Sequence, residues 1–251
     1  MTTPLFSIIT VNYNNKVGLL NTIKSVFNQS CTDFEFIIID GGSTDGSKEI
    51  IESYQNRLAY CVSEKDAGIY DAMNKGIKKA SGTYLYFLNS GDVFASDDVL
   101  GKISLTANEN SYDFIYGNII LNGKLVKYNS KISLHYILDM GISHQAQFLH
   151  KKLFELEGLY NLEYKVTADS AHLLLCFLKH QTSYSHINIP IAVIEPNGLS
   201  EQSRSSNRLE RKRFMENEMS FIKEDYERLM QYQRRDYIQR GINFIKRLFN
   251  K

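Results

Sequence analysis

The order of strand-like and helix-like segments predicts an α/β fold, with a mixed but mostly parallel sheet and helices on both of its faces. Three observations carry that prediction. β-forming runs alternate with segments of three- and four-residue apolar spacing through the first 92 residues. The runs Phe6–Val11, Phe34–Ile39 and Tyr84–Leu88 are dense in β-branched and aromatic residues, as suits strands covered on both faces. The connections are long enough for helical crossovers, which join parallel neighbours.

The first strand, Phe6–Val11, leads to Asn14 and Asn15, either of which can cap a helix. In that helix Val17, Leu20, Ile23 and Phe27 recur at helical steps. Phe34–Ile39 is the second strand and Ser47–Tyr54 the second helix. Leu58–Ser63 reads as a third strand and Ile69–Ala80 as a third helix, with Ser81-Gly82 turning into Tyr84–Leu88. Beyond Asp92 the alternation loosens. Short β-like pieces at Phe114–Tyr116, Ile119–Leu121 and Leu125–Tyr128 surround Asn118 and Asn122-Gly123, a strong turn pair. Ser143–Leu149 then leads to Asp169, which is placed to open a helix over Ser170–Lys179. From Ser205 the chain reads as helix with few breakers apart from Gly241.

At 251 residues the chain is long enough for one well-buried α/β domain plus an appendage. No apolar stretch approaches the roughly 18–20 residues needed to span a bilayer, and the N-terminus lacks the pattern of a signal peptide. Cys31, Cys61 and Cys176 are widely spaced, which points to a reducing cytoplasm and away from disulfides or zinc. The net charge of +1 conceals an asymmetry: from Gln202 onward there are 13 Lys and Arg against 7 Asp and Glu, and before it 16 against 21. The division is therefore 1–201, with halves 1–92 and 93–201, and a basic tail over 202–251. Such a tail suits an anionic membrane surface. No nucleic-acid-binding motif accompanies the charge, so nucleic acid is excluded as a partner.

Chemistry-bearing residues gather at the ends of the strands. The densest run is Ser63–Ile77, a polar loop entering a helix, followed by Tyr84–Leu88 and Asn89-Ser90-Gly91-Asp92. With Phe6–Asn14 and the turn Ile39-Asp40-Gly41-Gly42-Ser43-Thr44-Asp45, these motifs resemble the family 2 glycosyltransferases of the GT-A fold, over roughly the first 200 residues. That resemblance implies a Rossmann-like nucleotide-binding half, an acceptor half and a helical extension. The implied reaction is inverting transfer of a hexosyl or N-acetylhexosaminyl group from a UDP-sugar. The implied acceptor is a lipid-diphosphate-linked saccharide of the kind used in O-antigen or capsule assembly.

The resemblance distributes roles among particular residues. Thr10, Asn12 and Tyr13 border the nucleotide base, and Asp40 and Asp66 read it, although Asp40 before two glycines also reads as a turn former. Asn74 and Lys75 lie near the ribose or diphosphate, and Met73 stands where many members carry Arg. Gly91 admits the ribose or sugar closely. Asp92 is the implied ligand for Mn2+ or Mg2+, the one carboxylate left where members carry an acidic cluster, and a turn or capping role is its alternative. Asp169 is the implied general base and at the same time an N-cap. His144 is either a sugar or diphosphate contact or a structural histidine.

Asn197-Gly198-Leu199-Ser200 reads as a lid or a simple turn. In the tail, Met215, Met219, Ile222, Tyr226 and Leu229 form a seam for the body or a homodimer partner. Ile238, Ile242, Ile245 and Phe249, beside Arg234, Arg235, Arg240, Lys246, Arg247 and Lys251, form a basic amphipathic stripe for a membrane or for packing. Peripheral attachment to the inner face of the cell membrane follows from the first choice. A nucleotidyltransferase would need a Gly-rich basic loop where Asn12-Tyr13-Asn14-Asn15 stands, and a dinucleotide oxidoreductase would need G-x-G-x-x-G there. A non-catalytic sugar-nucleotide-binding protein is the other alternative, against which the presence of both Asp92 and Asp169 argues.

Overall fold

In the computed structural model, which describes residues 3–139, 141–195 and 204–220 together with 224, 227, 228, 231, 232 and 235, β1 (Phe6–Asn12) is buried along its whole length. It lies between β2 (Phe34–Asp40) and β4 (Tyr84–Phe87), parallel to both, and β3 (Tyr60–Ser63) extends the row beyond β2. Strand side chains alternate between faces. Phe6 and Ile8, with Phe36, Ile38, Tyr84 and Tyr86, form one core with Leu19, Ile23 and Val26 of α1 (Lys16–Phe27) and Ile51 of α2 (Ser47–Tyr54). On the other face α3 (Ile69–Lys79) lies so close that a Cβ on Gly76 would stand 2.5 Å from Ile9 Cγ2. That contact requires glycine at position 76.

The second half completes the sheet with the short strand β5 (Val93–Phe94), α4 (Val99–Glu109), β6 (Phe114–Leu121) and β7 (Lys124–Val126). It continues through α5 (Leu134–Asp139), a 3-10 turn at His144–Ala146, β8 (Gln147–His150), α6 (Lys152–Glu157), α7 (Ala168–His180) and β9 (Tyr184–Ile194). The strand order is β3-β2-β1-β4-β8-β6-β9-β5, with β7 paired to β6. Asn122 and Gly123 both take positive φ, 52° and 71°, which closes the β6–β7 hairpin as the Asn-Gly pair predicts.

The sheet is mixed, but "mostly parallel" needs correction. Among the described residues four strand pairings are parallel and four antiparallel. The parallel order holds through β3-β2-β1-β4 and is broken by β8, which runs antiparallel to both β4 and β6. The apolar stripe of α1 is also shifted. Leu19, Ile23 and Val26 face the core, whereas Val17 is 73% exposed. Position 17 lies roughly 200° around the helix axis from Leu19 and so faces away from the core.

The chain divides into two compact units, 1–202 and 203–251. In the second, α8 spans Arg204–Glu218. The loop Asn197–Ser200 and the stripe from Ile238 to Phe249 lie outside the described residues, as do Ile222, Tyr226 and Leu229 of the seam. Among the described residues no helix is long and apolar enough to cross a membrane.

Candidate active site

Parallel register places Asn12, Asp40 and Ser63 side by side at the C-terminal ends of β1, β2 and β3. Such an edge is where open α/β sheets receive ligands. Asp40 is fully buried there and accepts five hydrogen bonds. Asn12 Nδ2 and Ser43 Oγ donate to Oδ1 at 2.6 and 2.5 Å, and Ser63 Oγ and the amides of Gly42 and Ser43 donate to Oδ2. Burial raises its pKa, but the hydrogen bonds outweigh that and hold it below the usual carboxylate value. Asp40 therefore fixes the loop Gly41–Asp45, and its side chain lies beneath the cleft surface.

Above it stand the exposed Tyr13 and the half-buried Asp66. Tyr13 is 68% exposed, and a Cβ on Gly41 would approach its ring at 3.3 Å and Asp66 Oδ2 at 2.5 Å. Asp66 Oδ1 accepts from the Gly68 amide at 2.9 Å, which aims the carboxylate across Gly41. Thr10 supports this edge from below: it is fully buried, and its hydroxyl donates to Leu88 O. Lys75 Nζ is paired with Glu64 at 2.8 Å and stands 3.8 Å from Asp71.

Asn74 lies deeper than the resemblance implies. Its amide is buried, donating to Tyr160 O at 2.9 Å and accepting from Tyr160 N at 3.0 Å. It clamps α3 to the segment between α6 and α7 and is buried there, away from the cleft surface. Met73 is buried beside it.

Asp92 lies past the end of β4 and is 5% exposed. Gln145 Nε2 donates to Oδ2 and the Glu195 amide to Oδ1, both at 2.9 Å. Burial raises its pKa, helped by the charge of Glu195 and opposed by those two donors. Glu195 Oε2 accepts from Asn15 Nδ2 at 2.9 Å, while Asn15 Oδ1 caps α1 through the Gly18 amide. Gly91 lies under the Glu195 carboxylate with φ +101°, so a side chain there is excluded by both space and backbone.

The resemblance implies a divalent cation at this place. Among the described residues no group of three or more His, Cys, Asp or Glu could hold one. The donor set nevertheless suits a hard cation: two adjacent carboxylates, neither in an ion pair among the described residues, beside a glycine cradle. Asp92 and Glu195 would supply two oxygen ligands and leave the remaining positions to substrate oxygens and water.

Asp169 sits in the first turn of α7, two positions past the N-cap Thr167, so the expected capping role is corrected. Its side chain is 12% exposed. Oδ1 accepts from Tyr70 OH at 2.9 Å and from the Ser170 amide at 2.8 Å, and Oδ2 faces His144 Nδ1 at 3.2 Å. Burial raises its pKa, but His144, Ser170 and Tyr70 together hold it below the usual value. His144 Nε2 in turn meets Asn89 Nδ2 at 3.0 Å.

His144 and Gln145 are consecutive, and they tie Asp169 to Asp92 from one 3-10 turn. Tyr70, Asn89, Gln145 and Glu195 were not identified from sequence. Three of them lie within the motifs Ser63–Ile77, Asn89–Asp92 and Ser143–Gln145, so the motifs were legible although the individual partners were not.

A family model described as glycosyl transferase family 2 matches residues 7–172. A "PGL/p-HBAD biosynthesis glycosyltransferase" of Mycobacterium bovis is 34% identical over 194 residues, covering 74% of this chain and 76% of that protein. Among solved structures, S. aureus TarS 1-349 in complex with UDP aligns at a TM-score of 0.65 and 21% identity, over 76% of this chain and 60% of that one. A mannosyltransferase from Pyrobaculum calidifontis, in complex with GDP-Man and Mn2+, aligns at 0.57 and 15% identity, over 82% and 61%. At these identities the structural likeness establishes the fold: α/β, with a mixed sheet and flanking helices, broadly GT-A-like.

Proposed function

The chain belongs to glycosyl transferase family 2, and from that premise we propose that it moves a sugar from a UDP-linked donor to an acceptor hydroxyl with inversion at the anomeric carbon. The observation that carries this reading is the tie between Asp92 and Asp169 through His144 and Gln145 at the C-terminal edge of the sheet. It sets a carboxylate for the diphosphate side and a carboxylate for the acceptor side within one hydrogen-bonded unit.

In this reading Tyr13 and Asp66 border the base, while Asp40, Asn12 and Thr10 hold the loops that present them. Asp92 and Glu195 would hold Mn2+ or Mg2+, which when bound offsets charge on the diphosphate. Asp169 Oδ2 takes the acceptor hydroxyl proton as that oxygen attacks C1 from the face opposite the leaving group. The C1–O bond to the diphosphate breaks, and its electron pair leaves on UDP. An α-linked donor gives a β-linked product.

The acceptor is read as a lipid-diphosphate-linked saccharide, on the family resemblance and the basic composition of the tail. UDP release with and without acceptor tests the transferase. Proton NMR of the product reads the anomeric configuration, and retention would reject single displacement. Tight nucleotide binding without release for any donor would favour a binding protein instead.

A further inference from the structure

We propose that Asn89 and His144 are positioning residues that fix the direction and basicity of Asp169, an inference that rests on Asp169 being the base. An ionised carboxylate only accepts hydrogen bonds, so the 3.2 Å contact between His144 Nδ1 and Asp169 Oδ2 puts the ring hydrogen on Nδ1. A neutral imidazole has one N–H, which leaves Nε2 bare. Asn89 Nδ2 donates to that lone pair at 3.0 Å. The chain Asn89 to His144 to Asp169 therefore has a single donor direction.

The direction has a consequence at the carboxylate. Oδ1 is filled by Tyr70 and Ser170, whereas among the described residues Oδ2 accepts from His144 alone and keeps one lone pair. His144 thus determines where the free lone pair points. The ring is only 17% exposed, which limits exchange of this bond for one to water.

Asn89 stands in the strand-end stretch where the resemblance expects carboxylates. A carboxylate here would demand a hydrogen on Nε2. With Nδ1 already protonated toward Asp169, that would make the ring an imidazolium. The amide makes no such demand. Asn89 Oδ1 is buried without a partner among the described residues, and turning the amide over would set that oxygen against the Nε2 lone pair. The unsatisfied oxygen is the cost of holding Nδ2 on the histidine.

The titratable groups facing Asp169 are His144, Tyr70 from α3, Tyr160 from the segment before α7, and His172 on α7 itself. Of these His144 alone contacts Oδ2. Loss of His144 removes a donor to the ionised base and moves the acid limb of kcat/KM to higher pH.

The test uses the full chain with 15N-labelled histidine. Wild-type His144 should show the Nδ1–H tautomer, and Asn89→Asp should convert it to the doubly protonated form at neutral pH. With the donor and acceptor that support turnover, His144→Ala should lower kcat about 10²-fold, leave donor KM nearly unchanged and raise the acid limb. His144→Asn, which can offer an N–H near the Nδ1 position, should recover most of the loss. An Nε2–H tautomer in the wild type, or equal kinetics and an unmoved acid limb in both His144 variants, would overturn the proposal. Full turnover in Asp169→Asn would overturn it too, but through the base assignment, whatever the tautomer shows.

Discussion

The backbone amide of Glu195 donates to Asp92 Oδ1 at 2.9 Å, which brings the end of β9 onto the end of β4 and sets two carboxylates side by side. Burial raises the Asp92 pKa and the charge of Glu195 adds to that, so a bound cation would offset both. Adding Mn2+ with UDP should therefore raise Tm by more than UDP alone. Asp92→Asn should abolish that increment, and Gly91→Ala should reduce it by displacing Glu195. Differential scanning calorimetry with EDTA controls reads both. An undiminished increment in Asp92→Asn would remove Asp92 from the cation site.

The base pocket separates a surface layer from a supporting one. Tyr13 and Asp66 border Gly41 at the surface, and Asp40 is enclosed below with five donors. Tyr13→Ala should weaken UDP binding by roughly 1–3 kcal/mol, the range for base–aromatic stacking, with little change in Tm. Asp40→Ala should lower Tm and UDP affinity together, because it frees the loop and leaves the buried donors of Asn12, Ser43 and Ser63 without their acceptor. Calorimetric titration beside thermal melts distinguishes the two patterns.

Asn74 provides a control for the fold. Its side chain closes two hydrogen bonds with the Tyr160 backbone, so Asn74→Ala leaves a buried N–H and C=O unpaired. The expected loss is about 1–3 kcal/mol per unsatisfied group, measured by urea denaturation. UDP affinity should be unchanged at temperatures where the variant is folded. A large drop in affinity without destabilisation would return Asn74 to the nucleotide site.

The contrast between Asn74 and Asp92 explains what the sequence disclosed. Strand and helix positions in the first half were legible because β1, β2 and β4 are buried on both faces and their apolar runs are long. Helix α2 matches its expected bounds, Ser47–Tyr54. The motifs at the strand ends were legible because parallel register carries Asn12, Asp40 and Ser63 to one edge. Side-chain partners were not. Nothing local to Asn74 distinguishes an amide facing a phosphate from one facing Tyr160, since the partner comes from a segment 86 positions away. Nor does any periodicity reveal β9 running parallel to β6 or β8 inserting antiparallel beside β4. Those pairings depend on long-range packing.

His172 gives the fold a measurable acid response. Its ring is buried against Phe154, Nε2 donates to Gly158 O at 3.0 Å, and Nδ1 faces the Cys176 thiol. Burial pushes its pKa from 6.5 down to about 4. A folded-state pKa below the unfolded one means the stabilisation is complete above pH 6.5 and lost as pH falls toward 4. Over that window the loss approaches about 3 kcal/mol. His172→Phe keeps the ring contact without the titration, so its urea midpoint should fall less between pH 6.5 and 4.5 than that of the wild type. Equal slopes would show that other groups dominate this window.

The carboxylate of Asp169 is accessible on one side, accepts three hydrogen bonds and is held below the ordinary carboxylate pKa by His144, Ser170 and Tyr70, despite burial. It is therefore ionised throughout the neutral range, and kcat/KM should stay flat as pH falls from 7 to about 5, the acid limb lying below the ordinary range. Asp169→Asn keeps the size of the side chain but cannot take a proton, so kcat should fall by about 10²–10⁴-fold. The nucleotide groups around Gly41 are not among its contacts, and UDP affinity should remain within about twofold, the split expected when a group acts in the transition state rather than on the ground state. Tm should drop modestly, because one of the three donors on Asp169 would then face an amide N–H. Rapid-quench turnover, with calorimetric UDP titration on the same protein, measures both quantities. A kcat near that of the wild type, with β-linked product, would assign proton removal to another group.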